Sequence, residues 1–372
     1  MIYLDHGATS FPKPAAVRRA VVTSLGRDAN PGRGGYPAAM DAAAGVYACR
    51  EAAGRMFACD SEQVVLTANC TQGLNMAIRT LVKPGARVVI SGFEHNAVTR
   101  PLRLLGAETV TAGRKLFDWT DTLTEFEEAL RKKPAAAVFT HVSNVFGYVL
   151  PVAEMAALCR ARGVPFILDA AQSAGIFPVS MEELGADFIA MPGHKGLLGP
   201  MGTGMLLCGR LPEPWLAGGT GSDSIRQEMP DFLPDRGEAG TANVPGIRGL
   251  LAGMACVERM GMDAIRQRET EQAACCAAGL EKLGLQVFSG PHQGGTVSFV
   301  SERGCEETAE FLASKGIAVR AGLHCAPLAH RTAGTLATGT VRVSFGHDAC
   351  PEYTAALVRC LSKLYRTEER KF

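Results

Sequence analysis

No charge of either sign dominates this sequence. Its 38 Lys and Arg residues face 37 Asp and Glu residues over 372 positions, a formal net charge of +1, so no bulk field is available to hold a polyanion. Nucleic acid is therefore not expected as a partner. No apolar stretch approaches the ~18 uncharged residues needed to cross a bilayer. The start, Met1-Ile2-Tyr3-Leu4-Asp5-His6, lacks the basic, apolar and small-residue regions of an export signal. A cytoplasmic protein without membrane contact is the expectation. The twelve cysteines include no Cys-x-x-Cys pair and no His-Cys metal spacing. No metal is expected, and most of the thiols should be buried small hydrophobes kept reduced. Neither an internal repeat nor a low-complexity linker interrupts the chain, so its parts should pack as one subunit.

What is there has the composition of an ordinary globular protein, 47% hydrophobic and 20% charged, long enough for one large domain and one smaller one. Apolar, β-branched runs at 64–68, 87–92, 136–144, 166–170, 187–191 and 204–208 alternate with helical patterns. Val152, Met155, Ala156 and Cys159 recur at helical spacing, whereas Phe166-Ile167-Leu168 is a short continuous apolar run. That order predicts an α/β protein with a mostly parallel sheet covered by helices. After about Asn243 a long helical stretch, broken by glycines, reaches about Leu283. Short strands follow at 285–289, 296–300, 317–320 and 341–345, with helices near 305–315 and 351–364. The expected division is an N-terminal segment 1–14 packing with the small domain, a large domain 15–245, and a small α+β domain 246–372.

Ligands of open parallel sheets bind beyond the carboxyl ends of the strands, and several of these ends carry chemistry. The run at 64–68 leads into Asn69-Cys70-Thr71-Gln72-Gly73 at the start of a periodic helix. Its amides and the Thr71 hydroxyl could bind an anion, or Thr71 could simply cap the helix. Asp169 directly follows three apolar residues, and a buried carboxylate there needs a partner, be it an internal arginine, loop backbone or a ligand. Lys195 lies in the glycine turn Pro192-Gly193-His194-Lys195-Gly196, as a solvated loop cation or a placed nucleophile. A phosphate cradle, an acid, a lysine and an adjacent histidine together suit a cofactor with a phosphate, a basic ring nitrogen and an aldehyde, which describes pyridoxal phosphate.

Nine segments in order resemble the cysteine desulfurases, class V aminotransferase-like pyridoxal phosphate enzymes of fold type I. They are Tyr3-Leu4-Asp5, Asn69-Cys70-Thr71-Gln72-Gly73-Leu74-Asn75, Glu94-His95-Asn96-Ala97, His141-Val142-Ser143-Asn144, Leu168-Asp169-Ala170-Ala171-Gln172-Ser173, Gly193-His194-Lys195, Gly240-Thr241-Ala242-Asn243, Arg320-Ala321-Gly322-Leu323-His324-Cys325-Ala326-Pro327 and Val341-Arg342-Val343-Ser344. The resemblance covers nearly the whole chain. It implies that Lys195 carries the cofactor as a Schiff base and later shuttles protons, and that His95 stacks on the ring unless it is only a helix-start histidine at the surface. Asp169 would face the ring nitrogen; at ~4 Å and an effective dielectric near 20 such a pair is worth about 4 kcal/mol. Gln172 and Asn144 would bond the phenolic oxygen or the substrate, and Cys70, Thr71 and His194 the phosphate. Thr241 would reach the phosphate of a neighbouring subunit, which implies a homodimer.

The same resemblance makes Cys325 the acceptor of sulfur from L-cysteine, leaving alanine and an enzyme persulfide, unless Cys325 is one more buried thiol. A thiol with an ordinary pKa is only about 3% ionised at pH 7, so a nearby cation helps. Arg320 and Arg342 are the candidates, and Arg342 would also clamp the substrate carboxylate through two prongs that lysine could not supply. Arg320-x-Gly322-x-His324-Cys325-Ala326-Pro327 is similar to the short catalytic loop of the SufS-like branch. Its implied setting is sulfur metabolism, with iron–sulfur cluster assembly among the destinations and a protein as sulfur acceptor. Three departures stand out: Pro192 in place of serine, Leu323 in place of histidine, and His6-Gly7 in place of Asn-Ala. A selenocysteine lyase acting on L-selenocysteine, an aminotransferase or epimerase-like relative, and a non-enzymatic sulfur carrier stay open alternatives. The glycine-rich segment Gly32-Arg33-Gly34-Gly35 reads as lining a site.

Overall fold

In the computed structural model, residues 1–32, 34–222 and 224–366 are described, and Arg33 of the glycine-rich segment lies outside them. In chain order the strands are β1 (Ile2–Tyr3), β2 (Val64–Thr67), β3 (Arg87–Ser91), β4 (Glu108–Ala112), β5 (Ala136–Thr140), β6 (Phe166–Asp169), β7 (Phe188–Pro192) and β8 (Gly204–Cys208), followed by β9 (Gln286–Phe288), β10 (Thr296–Val300), β11 (Ile317–Ala318), β12 (Arg320–Gly322) and β13 (Thr340–Ser344). Seven of them form one sheet in the order β2-β8-β7-β6-β5-β3-β4. Only β8 runs against the rest. The mostly parallel sheet expected from the alternating pattern is therefore present. Every residue of β5, β6, β7 and β8 is buried, which is why these strands read as continuous apolar runs: helices cover both faces.

The local reasons are legible residue by residue. Helix Val152–Arg162 buries Val152, Met155, Ala156 and Cys159, the periodic set, and ends at Gly163 in the left-handed region. Helix Cys70–Leu81 is capped by the Asn69 side chain, which accepts a hydrogen bond from the Gln72 amide. Thr71 is thus inside the first turn rather than the cap. The strand expected at 136–144 stops at Thr140, because the chain turns back through Gly147 (φ 66°) and the apolar residues Val142, Val145 and Phe146 form a buried loop. The strand expected at 317–320 is split: β11 pairs in parallel with β1, whereas β12 pairs antiparallel with β13.

β12, β13, β10 and β9 make a second, four-stranded sheet, with helices Met262–Glu281 and Pro351–Arg366 packed together beside it. The long helical stretch expected after Asn243 is two helices, Val244–Met260 and Met262–Glu281, broken at Gly261 with φ 80°. The first packs on helices Ala15–Arg27 and Pro37–Phe57. No helix among the described residues is long and apolar enough to cross a membrane.

Candidate active site

The carboxyl ends of the parallel strands converge on one cavity of about 290 Å³. β2 delivers Asn69, Cys70 and Thr71, β5 delivers Asn144, β6 ends on Asp169, and β7 leads to His194 and Lys195. β3 leads through a short turn to His95, and the second sheet adds Arg320 and Arg342 from neighbouring strands and Cys325 from the loop between β12 and helix Pro327–Thr332. With Gln172, eleven of the twelve residues picked from the sequence line this one space. Thr241 does not: it lines a separate cavity of about 1210 Å³ together with Gly32 and Gly34 of the glycine-rich segment.

The polar groups are positioned by specific bonds. Asp169 is 2% exposed, and its Oδ1 accepts from the Ala171 amide at 2.9 Å and the Cys70 thiol at 3.6 Å. Burial, followed by the Asp169 charge, raises the Cys70 thiol well above its usual range, so this cysteine is a neutral donor. Lys195 has no hydrogen-bond or ion-pair partner for its amine among the described residues; burial lowers its pKa, against the upward pull of Asp169. His194 is pushed down to about 4 by burial and by the nearby Lys195 and Lys13, and its Nδ1 shares a 3.0 Å hydrogen bond with the Thr9 hydroxyl. His95 is a helix-start residue, its Nδ1 accepting from the Ala97 amide at 3.0 Å, but it is half-buried at the cavity wall rather than free on the surface. Gln172 donates to the Gly7 carbonyl at 3.0 Å.

The two arginines stand opposite one another in the β12–β13 ladder, Arg320 against Arg342. Like charges in that relation repel, and Asp5 resolves the conflict. Its Oδ1 accepts from Arg342 Nη2 at 2.7 Å and its Oδ2 from Arg320 Nη2 at 2.8 Å. Arg342 is 2% exposed; its Nη1 donates to the Asn144 carbonyl at 3.0 Å, and its Nε has no partner. Sequence reasoning noted Asp5 within a motif but gave it no role, because nothing in Tyr3-Leu4-Asp5 shows that β1 will pair with β11 315 residues away. At Gly7 a Cβ would be a tight fit, 3.2 Å from the Arg342 guanidinium carbon and 3.2 Å from the Ser344 hydroxyl.

Of the twelve free cysteines only Cys275 and Cys325 are exposed. His324 (φ 48°) and Cys325 (φ 56°) are consecutive non-glycine residues in the left-handed region, a conformation that persists only where neighbours over-determine it. Three contacts do so: Asn144 Nδ2 donates to the His324 carbonyl at 2.8 Å, the Asn96 amide donates to the Cys325 carbonyl at 2.8 Å, and the buried His324 ring meets Thr340 at 3.2 Å. Asn144 thus serves the cysteine loop and, through its carbonyl, Arg342. The Arg320 pKa is raised first by its hydrogen bonds to Asp5, against burial. Another unforeseen group is Glu94, fully buried behind His95. Its Oε1 accepts from the Ser91 hydroxyl and from the Thr140 amide at 3.0 Å, its Oε2 has no partner, and burial pushes its pKa up to about 8.

The donor set fits pyridoxal phosphate. A buried carboxylate, an unpartnered lysine amine and a helix start share one cavity, and the helix has no carbonyl of its own to offer the Cys70 and Thr71 amides. Comparison with known proteins agrees. The family model for class-V aminotransferases matches residues 2–357. A probable cysteine desulfurase from Methanothermobacter thermautotrophicus is 32% identical over 98% of this chain and 94% of its own length. The apo structure of a cysteine desulfurase from Thermococcus onnurineus NA1 superposes with a TM-score of 0.91 at 30% identity, covering 98% of this chain and 95% of that one. The cysteine desulfurase CsdA from Escherichia coli gives 0.84 at 27%, covering 97% and 94%.

Two outcomes follow from these environments. Asp5→Asn keeps the shape but removes the charge between two arginines, and should cost about 3–5 kcal/mol of stability in urea unfolding; a loss below ~1 kcal/mol would mean that Asp5 is not the counter-ion. For Glu94, a folded-state pKa near 8 against an unfolded 4.5 means that the folded form keeps a proton the unfolded form releases. Its contribution is fully present at low pH and is lost as pH rises through that interval. Glu94→Gln should therefore gain stability relative to the parent as pH goes from 5 to 8, read as the difference between two denaturation series.

Proposed function

Because the chain belongs to the class-V aminotransferase family and is a pyridoxal-phosphate-dependent cysteine desulfurase within it, we propose that Lys195, Cys325 and Arg342 divide the reaction among them. The observation that carries the proposal is their presence in one cavity with Asp169, although 147 positions separate Lys195 from Arg342 in the chain.

Bound pyridoxal phosphate supplies an electrophilic aldehyde and a cationic ring that accepts electron density from the α-carbon of an amino acid. Lys195 would hold that group covalently, and its amine, whose pKa burial lowers, would move the proton at the substrate α-carbon. Asp169 holds a proton on the ring nitrogen. The Cys70 and Thr71 amides at the helix start, with His194, bind the phosphate, while His95 and Gln172 fix the ring. Arg342, assisted by Asn144 and Arg320, orients the carboxylate of L-cysteine. The Cys325 thiolate then attacks the substrate sulfur: an S–S bond forms, the carbon–sulfur bond breaks, and its electron pair stays with carbon, where a proton completes alanine. Cys325 is left as a persulfide, whose terminal sulfur passes to an acceptor.

On the same proposal the chain works as a homodimer in which Thr241 serves the phosphate of the neighbouring subunit; its place outside the catalytic cavity supports this. Twelve unpaired cysteines suit a reducing cytoplasm, and a sulfur-accepting protein in iron–sulfur assembly is the proposed destination.

Incubation with L-cysteine should yield alanine and, with a reductant, sulfide. Cys325→Ala should keep the visible absorbance of the cofactor and lose ~10²-fold or more in sulfide release; unchanged turnover would remove the thiol from the mechanism. Borohydride reduction followed by peptide mapping should label Lys195 and nothing in Lys195→Ala, and a label on another lysine would overturn the assignment. Thr241→Val should lose cofactor on dialysis faster than the parent, and mixed dimers with Lys195→Ala should recover part of that retention if the threonine acts across the interface.

A further inference from the structure

His6 departs from the family pattern and has no part in the reaction just described. Its side chain is 6% exposed, with the Tyr3 ring edge-on at 4.9 Å. On the other side lies Gly346, where a Cβ would fall 2.1 Å from His6 Nδ1, so the ring fits only because position 346 has no side chain. The turn after β13 places His347 and Asp348 beside it. One donor atom from each of His6, His347 and Asp348 lies within 4.8 Å of the others, and His6 Nε2 is 3.4 Å from Asp348 Oδ1.

These groups have unused bonding capacity. His347 Nδ1 and Asp348 Oδ1 are buried without hydrogen-bond partners, a costly state for polar atoms unless a ligand completes them. The turn itself is fastened by the Ala349 amide to the Gly346 carbonyl at 2.9 Å and by Arg268 to the His347 carbonyl. His6 and His347 also line a cavity of about 40 Å³ that reaches Gln172 and Lys195, and it has room for a water molecule. Two imidazoles, one carboxylate and one water are the donor set that zinc accepts in a four-coordinate site.

We propose that His6, His347 and Asp348 bind a zinc ion, with a water in the small cavity as fourth ligand. The ion ties the N-terminal segment to the turn after β13. Since His6 follows Asp5, it also keeps that carboxylate over Arg320 and Arg342. The site adjoins the catalytic cavity, because the small cavity also borders Gln172 and Lys195, and takes no part in sulfur transfer.

The test uses the purified holoenzyme, stripped with EDTA, incubated with zinc sulfate and desalted. The parent should retain about one zinc per chain, and His347→Ala and Asp348→Asn at least ~10-fold less. A Cys275→Ser, Cys325→Ser double variant should retain as much as the parent, since the exposed thiols are not ligands. Cobalt(II) in place of zinc should give d–d absorption bands in the parent that both ligand variants lack. Should either ligand variant lose its cofactor absorbance through misfolding, His6→Asn, which restores the family residue, should fold and lose the ion. A parent that keeps no zinc after desalting, or ligand variants that keep as much as the parent, would overturn the proposal and leave His6 and Asp348 as a plain polar contact.

Discussion

A single carboxylate, Asp5, sets the geometry on which the candidate active site depends. The β12–β13 register places Arg320 directly across from Arg342, an arrangement that like-charge repulsion would splay. Asp5 accepts hydrogen bonds from both at 2.7–2.8 Å and converts the repulsion into a three-membered charge network. Burial makes this interaction strong: Arg342 is almost without contact to solvent, where an unpaired guanidinium would be expensive. The carboxylate reaches its place because β1 pairs with β11, and Gly7 keeps the neighbouring Arg342 guanidinium uncrowded.

From that network the remaining geometry follows by short steps. Arg342 donates to the Asn144 carbonyl, and the Asn144 amide donates to the His324 carbonyl. The peptide next to the Cys325 thiol is thereby fixed to the sheet that carries Asp169 and Lys195. The left-handed pair His324 and Cys325 is strained backbone, and strain of this kind survives where several bonds hold it. It also presents the thiol to the cavity with one neighbouring cation, Arg320, while ten other cysteines are partly or wholly withdrawn from solvent.

The large sheet contributes position rather than reactivity. Its strands point their carboxyl ends at one space, so residues far apart in the chain become neighbours, and burial alters their acid–base character in opposite directions. The amine of Lys195 is shifted toward neutrality, and the carboxyl of Glu94 and the thiol of Cys70 are kept protonated. These are the same desolvation effect acting on groups of opposite charge.

Most strands, their parallel order and eleven of the residues that line the candidate cavity were legible in the sequence, because buried parallel strands are continuous apolar runs and polar side chains follow their carboxyl ends. The periodic helix Val152–Arg162 and β8 needed nothing else. β4 escaped notice: Glu108–Ala112 is an edge strand with two exposed residues and no apolar run. The strand at 136 ran too long on paper because a buried loop is as apolar as a strand. Asp5, Gly7, Glu94 and the capping role of Asn144 over His324 required the folded chain, since each acts through a partner at least 46 residues away, as with Glu94 and Thr140. Sequence determines which chemical groups exist and which local shapes they favour; charge pairing, burial and close approach across such separations are properties of the tertiary structure alone.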